Sequence, residues 1–288
     1  MIEEGSVKRN RFFPVLILMS GFLILSSFPL GAKGKFELGA HYGSWGINIL
    51  KGAIESGVGS AIRDQMIDNL KKDHPDVVAN SNQTSVNFDS GGYNFGFDLR
   101  WYPGGENGSF SLGVSVEKTK MRVSIDRASA QIQVSYTGDD GKPRAEGFNG
   151  TGTGEFLIKP LSFHLSVRWD VFPTARVHPF ITFGVGLSPG SYLDDGTLTY
   201  AVQGDLFKKD GTIEHHADSG TKTLGQLKKE EEDDARAKGK NSDIPFWFIP
   251  FVQLNLGLKG KITDNIHLLV DAGIWDGLLI RGGIAYRF

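Results

Sequence analysis

Apolar and polar residues alternate with a period of two along most of the chain from residue 36 to the end, the signature of β-strands with unlike faces. Eight such stretches are legible. The first, about Phe36 to Leu50, sets Phe36, Leu38, Ala40 and Tyr42 against Glu37, Gly39, His41 and Gly43, with a phase slip near Ser44–Trp45 of the kind a bulge makes. The second, about Val86 to Tyr102, sets Tyr93, Phe95, Phe97, Leu99 and Trp101 against Asn94, Gly96, Asp98, Arg100 and Tyr102. The third starts near Phe110 and extends past Val123. The fourth is the cleanest: Leu161, Phe163, Leu165, Val167, Trp169 and Val171 oppose Ser162, His164, Ser166, Arg168 and Asp170. The fifth runs from Val177 to Ser188, the sixth from about Phe246 to Lys261, the seventh from Ile266 to Ile274, and the eighth closes the chain at Phe288.

The connections sort by parity. Those after strands two, four and six are short, at 103–108, 172–176 and 263–265; those after one, three and five are long, at roughly 51–85, 122–155 and 200–245. Asp276-Gly277 is a two-residue hairpin signal before the eighth strand. Short turns at one end and long loops at the other predict an all-β fold: a single antiparallel eight-stranded transmembrane β-barrel, its turns periplasmic, its long loops extracellular and both termini on the turn side.

Residues before the first strand carry a different pattern. Lys8, Arg9 and Arg11 precede the apolar run Phe12 to Leu30, and Gly31-Ala32 supplies small residues at its exit. That is the order of a secretory signal peptide, giving a leader over 1–32 and a barrel domain over 33–288. The run is also about as long as a spanning helix needs, so an uncleaved anchor is the competing reading. Pro14 and Pro29 favour cleavage near Ala32. Past the leader no apolar run approaches that length, so a membrane would be crossed by strands.

Composition narrows the partners. Without residues 1–32, which hold three basic and two acidic residues, 28 Lys and Arg face 31 Asp and Glu, so no nucleic-acid footprint exists. There is no cysteine, hence no disulfide, thiolate metal site or lipid-modified amino terminus. Glycine is abundant, at 38 of 288 residues.

Alternation alone does not say which face meets lipid, since a soluble barrel has the same period with apolar side chains inside. The aromatics at the turn-proximal ends (Phe36, Trp101, Trp169, Tyr286 and Phe288) read as a membrane-interface girdle and put the apolar phase outside. The other phase then forms a polar lumen network of Glu37, Asp98, Arg100, His164, Arg168, Asp170, Lys259, Asp271 and Arg281. Either these charges pair and plug the barrel, or they line a narrow path for ions or solutes; pairing is the cheaper state in a low dielectric.

Within the first long loop, Ile54, Val58, Ile62, Met66 and Leu70 recur every four residues, an amphipathic helix ended by His74-Pro75, placed to cap the mouth or to lie on the outer leaflet. The third long loop holds Glu214-His-His-Ala-Asp218, whose histidines could take a divalent metal but read more simply as a solvated loop, so neither metal nor cofactor is expected. The run Lys228 to Lys240 reads as an exposed charged segment. For an enzyme, the best His–Ser grouping is His164 with Ser162 and Ser166, on the lumen face beside Arg168 and Asp170, where an ordinary polar network is the simpler account, so no enzyme is expected.

The final stretch, with polar Arg281, Gly283 two positions on, and the aromatics Tyr286 and Phe288, resembles the C-terminal targeting strand of bacterial outer-membrane barrels. On that motif and the architecture, the chain resembles the small outer-membrane β-barrel family (OmpA-transmembrane, OmpX and OmpW-like proteins). The resemblance implies a monomer in the bacterial outer membrane, in contact with lipopolysaccharide and inserted by the barrel-assembly machinery reading Arg281, Gly283, Tyr286 and Phe288. It implies a structural or surface-binding role carried by the extracellular loops. The alternatives are a narrow channel for small or hydrophobic solutes, as OmpW-like members suggest, and a lipid A-modifying enzyme. No peptidoglycan-binding domain follows the barrel, so no tether of that kind is expected.

Overall fold

The alternating stretches fold into one antiparallel sheet of eleven strands, eight of which close a ring. The computed structural model describes residues 34–73, 78–137, 141–208, 210, 212–237, 248–275 and 277–288. The leader expected over 1–32, the stop at His74-Pro75 and Asp276 of the hairpin signal lie outside them.

The elements, in order, are β1 (Lys35–Gly46), helix α1 (Lys51–Asp73), β2 (Val78–Tyr102), β3 (Phe110–Thr137), β4 (Pro143–Ile158), β5 (Leu161–Asp170) and β6 (Val177–Pro189). There follow β7 (Thr197–Phe207), β8 (Ile213–Thr223), helix α2 (Leu224–Ala237), β9 (Phe248–Lys261), β10 (Ile266–Trp275) and β11 (Leu278–Arg287). The ring runs β1-β2-β3-β5-β6-β9-β10-β11 and closes where β11 pairs with β1, from Glu37 opposite Arg287 to Gly46 opposite Leu278. Strands β5, β10 and β11 have ten residues each, enough for a tilted strand to cross a bilayer core. At the β10–β11 hairpin Gly277 takes φ 153°, open to glycine, and the indole of Trp45 leaves no room for a Cβ there.

Three findings correct the sequence expectation. First, β1 holds an unbroken register with both neighbours through Trp45, so there is no phase slip; Trp45 points inward with Glu37 and His41 and is buried. The strand ends at Gly46 rather than near Leu50. Second, the segments 122–155 and 200–245 are not loops throughout. β3 continues to Thr137, and β4, β7 and β8 extend its upper half into a second sheet region, in the order β2-β3-β4-β7-β8. Third, the first long connection is shorter than 51–85, because β2 begins at Val78 and pairs with β3 along nearly its whole length.

The twenty-eight residues of β3 are therefore shared. Its lower half, Phe110 to Lys118, pairs with β5, and its upper half, Met121 to Thr137, pairs with β4. Between β4 and β5 only Lys159 and Pro160 intervene, so one descending path lies along β3, and the Pro160 carbonyl accepts from the amide of Thr119 at 3.1 Å. A one-residue bulge in β3 between Ile125 and Ala128 shifts its inward positions from odd to even numbers.

The two levels have opposite polarity. In the ring the outward positions are large and apolar, among them Leu165, Val167 and Trp169 of β5, while Ser162, His164, Ser166, Arg168 and Asp170 are buried inside. Above the bulge the order reverses. Ala130, Ile132, Val134 and Tyr136 of β3 are buried inside, and Gln131, Gln133 and Thr137 face out exposed. Arg122 stands on the outer surface at the border, with Asp89 at 2.6 Å and Glu155 at 3.5 Å.

Candidate functional site

Two places gather chemistry: the ring's lumen and the inner face of the extension. Inward glycines make the lumen possible. A Cβ on Gly96 would lie 2.6 Å from the ring of His41 and 2.8 Å from Glu117, and one on Gly113 would lie 2.9 Å from Arg100. Long charged side chains cross the ring over these bare positions, and they account for part of the high glycine content.

The lowest tier centres on Glu37 of β1. Its Oε2 accepts from Lys259 Nζ of β9 at 2.5 Å and from Arg287 Nε of β11 at 3.0 Å, with Arg287 Nη2 in ion-pair contact at 2.8 Å, and Arg168 Nη1 of β5 lies 3.6 Å from Oε1. The Tyr102 hydroxyl of β2 accepts from Lys259 at 3.0 Å. Asp170 faces the same cations, 3.9 Å from both Lys259 and Arg287. The guanidinium of Arg287 stacks 3.8 Å from the centre of the Tyr102 ring, and that of Arg168 lies 4.4 Å from the centre of Phe180.

The middle tier turns on Arg281 of β11. Its Nε donates to Asp271 Oδ1 at 3.0 Å, and its Nη1 reaches Glu117 at 3.4 Å. Asp98 sits 3.2 Å from Arg100 Nε, and Arg100 Nη2 donates to Ser166 at 2.9 Å. His41 bridges the two halves, 3.7 Å from both Asp98 and Glu117. His164 lies above, its Nε2 2.8 Å from Ser162, while Ser166 belongs to Arg100; the grouping is buried in the wall network.

Glu117 and Arg287, which the strand phase also points inward, stand with the nine network residues, and Tyr102, His41, His178 and His267 join them in the same phase. Lys261, one strand position beyond Lys259, sits at the rim, 3.2 Å from Glu106 of the β2–β3 turn.

A cavity of about 20 Å³ remains among His41, Asp98, Arg100, Glu117 and Arg281, room for about one water. Above it Trp45, Met121, Phe251 and Leu279 pack into an apolar ceiling, with Val123 and Ile158 against it. Ion pairs below and an apolar layer above narrow the described part of the ring.

Helix α1 lies on the inner face of the extension. Gly59 is buried against Thr84, Glu55 Oε1 accepts from the amide of Phe88 at 2.8 Å, and Ile54, Val58 and Ile62 are half-buried. Met66 and Leu70 lie outside the described side chains. Beyond Ile62 the inner face opens into a cavity of about 410 Å³ over β3, β4, β7 and β8. The two histidines of the Glu214–Asp218 segment diverge across β8, a strand and not the loop expected. His215 bonds Asp205 on the outer face at 2.6 Å, and His216 faces inward, 3.5 Å from Glu214. Among the described residues no group of three His, Asp or Glu converges as a metal site. The charged run, for its described part, is the exposed helix α2.

At the turn end, Phe36 and Phe288 exchange backbone hydrogen bonds of 2.9 and 2.8 Å, and their rings stack 6.3 Å apart. Phe288 also stacks on Tyr286 at 6.0 Å, and Trp169 and Phe172 stand exposed at the same end. A closed ring with apolar residues and an aromatic rim outside, and paired charges inside, defines a membrane-spanning β-barrel.

No family model matches the chain, and no curated protein matches it in sequence. Among solved structures it is similar to Ail, the attachment invasion locus protein of Yersinia pestis, at 10% identity over 88% of this chain and 99% of that one, with a TM-score of 0.30. It is also similar to the outer membrane protein OprG of Pseudomonas aeruginosa, at 10% identity over 89% and 97% of the chains and a TM-score of 0.29. The N-terminal β-barrel domain of OprF from the same organism gives 10% identity over 88% and 97% and a TM-score of 0.26. Scores this low carry no weight on role. The class rests on the ring itself.

Proposed function

We propose that the protein is an outer-membrane β-barrel whose ring serves as an anchor and whose extension does the binding, at the cell surface. The observation that supports this is the reversal of polarity at the β3 bulge. A wall apolar outside and polar inside suits lipid; one polar outside and apolar inside suits water. The border between them, marked by Arg122, Asp89 and Glu155, is where the lipid surface would lie. The outward apolar belt would contact lipopolysaccharide and phospholipid, and the terminal strand β11 would be what the barrel-assembly machinery reads. The ring closes on its own strands without borrowing one from another chain, which supports a monomer.

The packed lumen favours an anchor over a channel. Planar-bilayer recording on the refolded full-length chain tests this. The expected record is silent at physiological potentials. Discrete, reproducible openings would overturn the anchor and leave the narrow-channel reading.

A further inference from the structure

The inner face of the extension is crossed by two neighbouring rows of small side chains. In one row Ala130, Gly150, Gly204 and His216 are successive register partners on β3, β4, β7 and β8. In the next, Ala128, Gly152, Val202 and Asp218 are. Each row spans three inter-strand gaps, about 14 Å, and the two lie about 7 Å apart along the strands. Phe148 walls one side, its ring lying across Gly150 and Gly204, and Tyr200 walls the other, its ring 3.3 Å from where a Cβ on Gly220 would stand. Ile62 of α1 overhangs the β3 end. These are the dimensions of a trough for one chain lying across the sheet, and its 410 Å³ falls within the ~300–1,000 Å³ of small-ligand sites.

The two ends differ. At the β3 end the floor is alanine and the roof isoleucine. At the β8 end, a strand paired on one side only among the described residues, the trough opens beside His216 and Asp218. Glu214 is neutralised there by Lys208 at 2.7 Å and approached by His216. Asp218 receives the neutral hydroxyl of Tyr200 at 3.2 Å, and no cation stands within ion-pair distance of it among the described residues. The mouth thus offers a carboxylate that makes no ion pair among the described residues, with Lys222 farther along the same face held by Glu230 at 2.6 Å.

We propose that this trough binds an alkylammonium amphiphile: a single unbranched alkyl chain lying beside the Phe148 ring over the Ala128–Gly152 row, with its cationic head at Asp218. The inference rests on the reading that the extension is the binding part of the molecule, and it adds the ligand class and the residues. Apolar burial holds the chain, and charge complementarity at the mouth selects the head.

The test uses the full chain in phosphatidylcholine nanodiscs, with empty nanodiscs as blank, and titrates octylammonium, octanoate and adamantylammonium by calorimetry. Octylammonium is expected to bind one to one above the blank, octanoate more weakly, and the caged adamantyl probe not at all. Asp218→Asn should weaken octylammonium roughly threefold, the size of an exposed ion pair. Val202 is 49% exposed, so Val202→Trp can fill the trough without disturbing packing and should abolish binding; a heat-modifiable gel shift reports that the variant is folded. Uptake that is absent, or unchanged in Val202→Trp, overturns the site. Octanoate binding as tightly as octylammonium overturns the assignment of the head. Silent bilayers without alkylammonium binding would sink the trough alone, while channel openings together with binding would sink the anchor alone.

Discussion

Glu37 and Lys259 lie 222 residues apart in sequence and meet at 2.5 Å inside the ring, neither exposed to solvent. Arg287 and Arg168 share the same carboxylate. Replacing Glu37 by Gln leaves three cations around a neutral amide, and removing one partner of a buried ion network costs about 3–5 kcal/mol. Lys259→Met should cost less, because Arg287 and Arg168 still face Glu37. Urea unfolding of the two variants in lipid vesicles measures the order; the reverse order would show that Glu37 is not the hub.

Gly96 faces His41 and Glu117 at distances that exclude a side chain. Gly96→Val should destabilise the ring by about 1–3 kcal/mol, the usual cost of overpacking. The double variant with His41→Ala should recover part of it, since the imidazole is the nearest obstacle. An additive double variant, read by the same unfolding assay, would place the clash elsewhere.

Deleting Phe288 removes both backbone bonds to Phe36 and two stacked aromatic contacts at the seam that closes the ring. The expected outcome is a several-fold drop in heat-modifiable, membrane-inserted protein with total synthesis unchanged. Equal insertion would mean that the seam is held by the remaining register of β1 with β11.

Among the described residues strand β8 has a partner on one side only, whereas β9 is paired on both sides. Amides at a free edge open more easily than those inside a ladder. Hydrogen exchange should therefore run about tenfold or more faster over 213–223 than over 250–260. Matching rates would indicate that something covers the β8 edge in the intact particle.

The ring was legible because its alternation is written in extremes: Phe, Leu, Val and Trp on one face, charge or glycine on the other. The extension keeps the same period but writes it in small contrasts. On β4 the inward Gly150, Gly152 and Gly154 alternate with Asn149, Thr151 and Thr153, a pattern that reads as loop composition because glycine lowers strand propensity. The one bulge placed from sequence was misplaced for a related reason. The slip expected near Ser44–Trp45 is absent because Trp45 keeps the inward phase of Glu37 and His41 and roofs the polar lumen. The charged interior followed from phase alone. The trough did not, since it depends on which glycines become neighbours across four strands.

The shared length of β3 also fixes where a ligand must come from. From Arg122, at the proposed lipid border, to Ala128 on the trough floor is roughly 20 Å along the strand. With the border there, a chain seated in the trough would lie clear of the hydrocarbon and be held in water by protein alone. On the proposed orientation the molecule would sample the aqueous medium outside the cell and not the leaflet beneath it, and its occupancy would follow the free monomer concentration of the amphiphile, levelling off once micelles form.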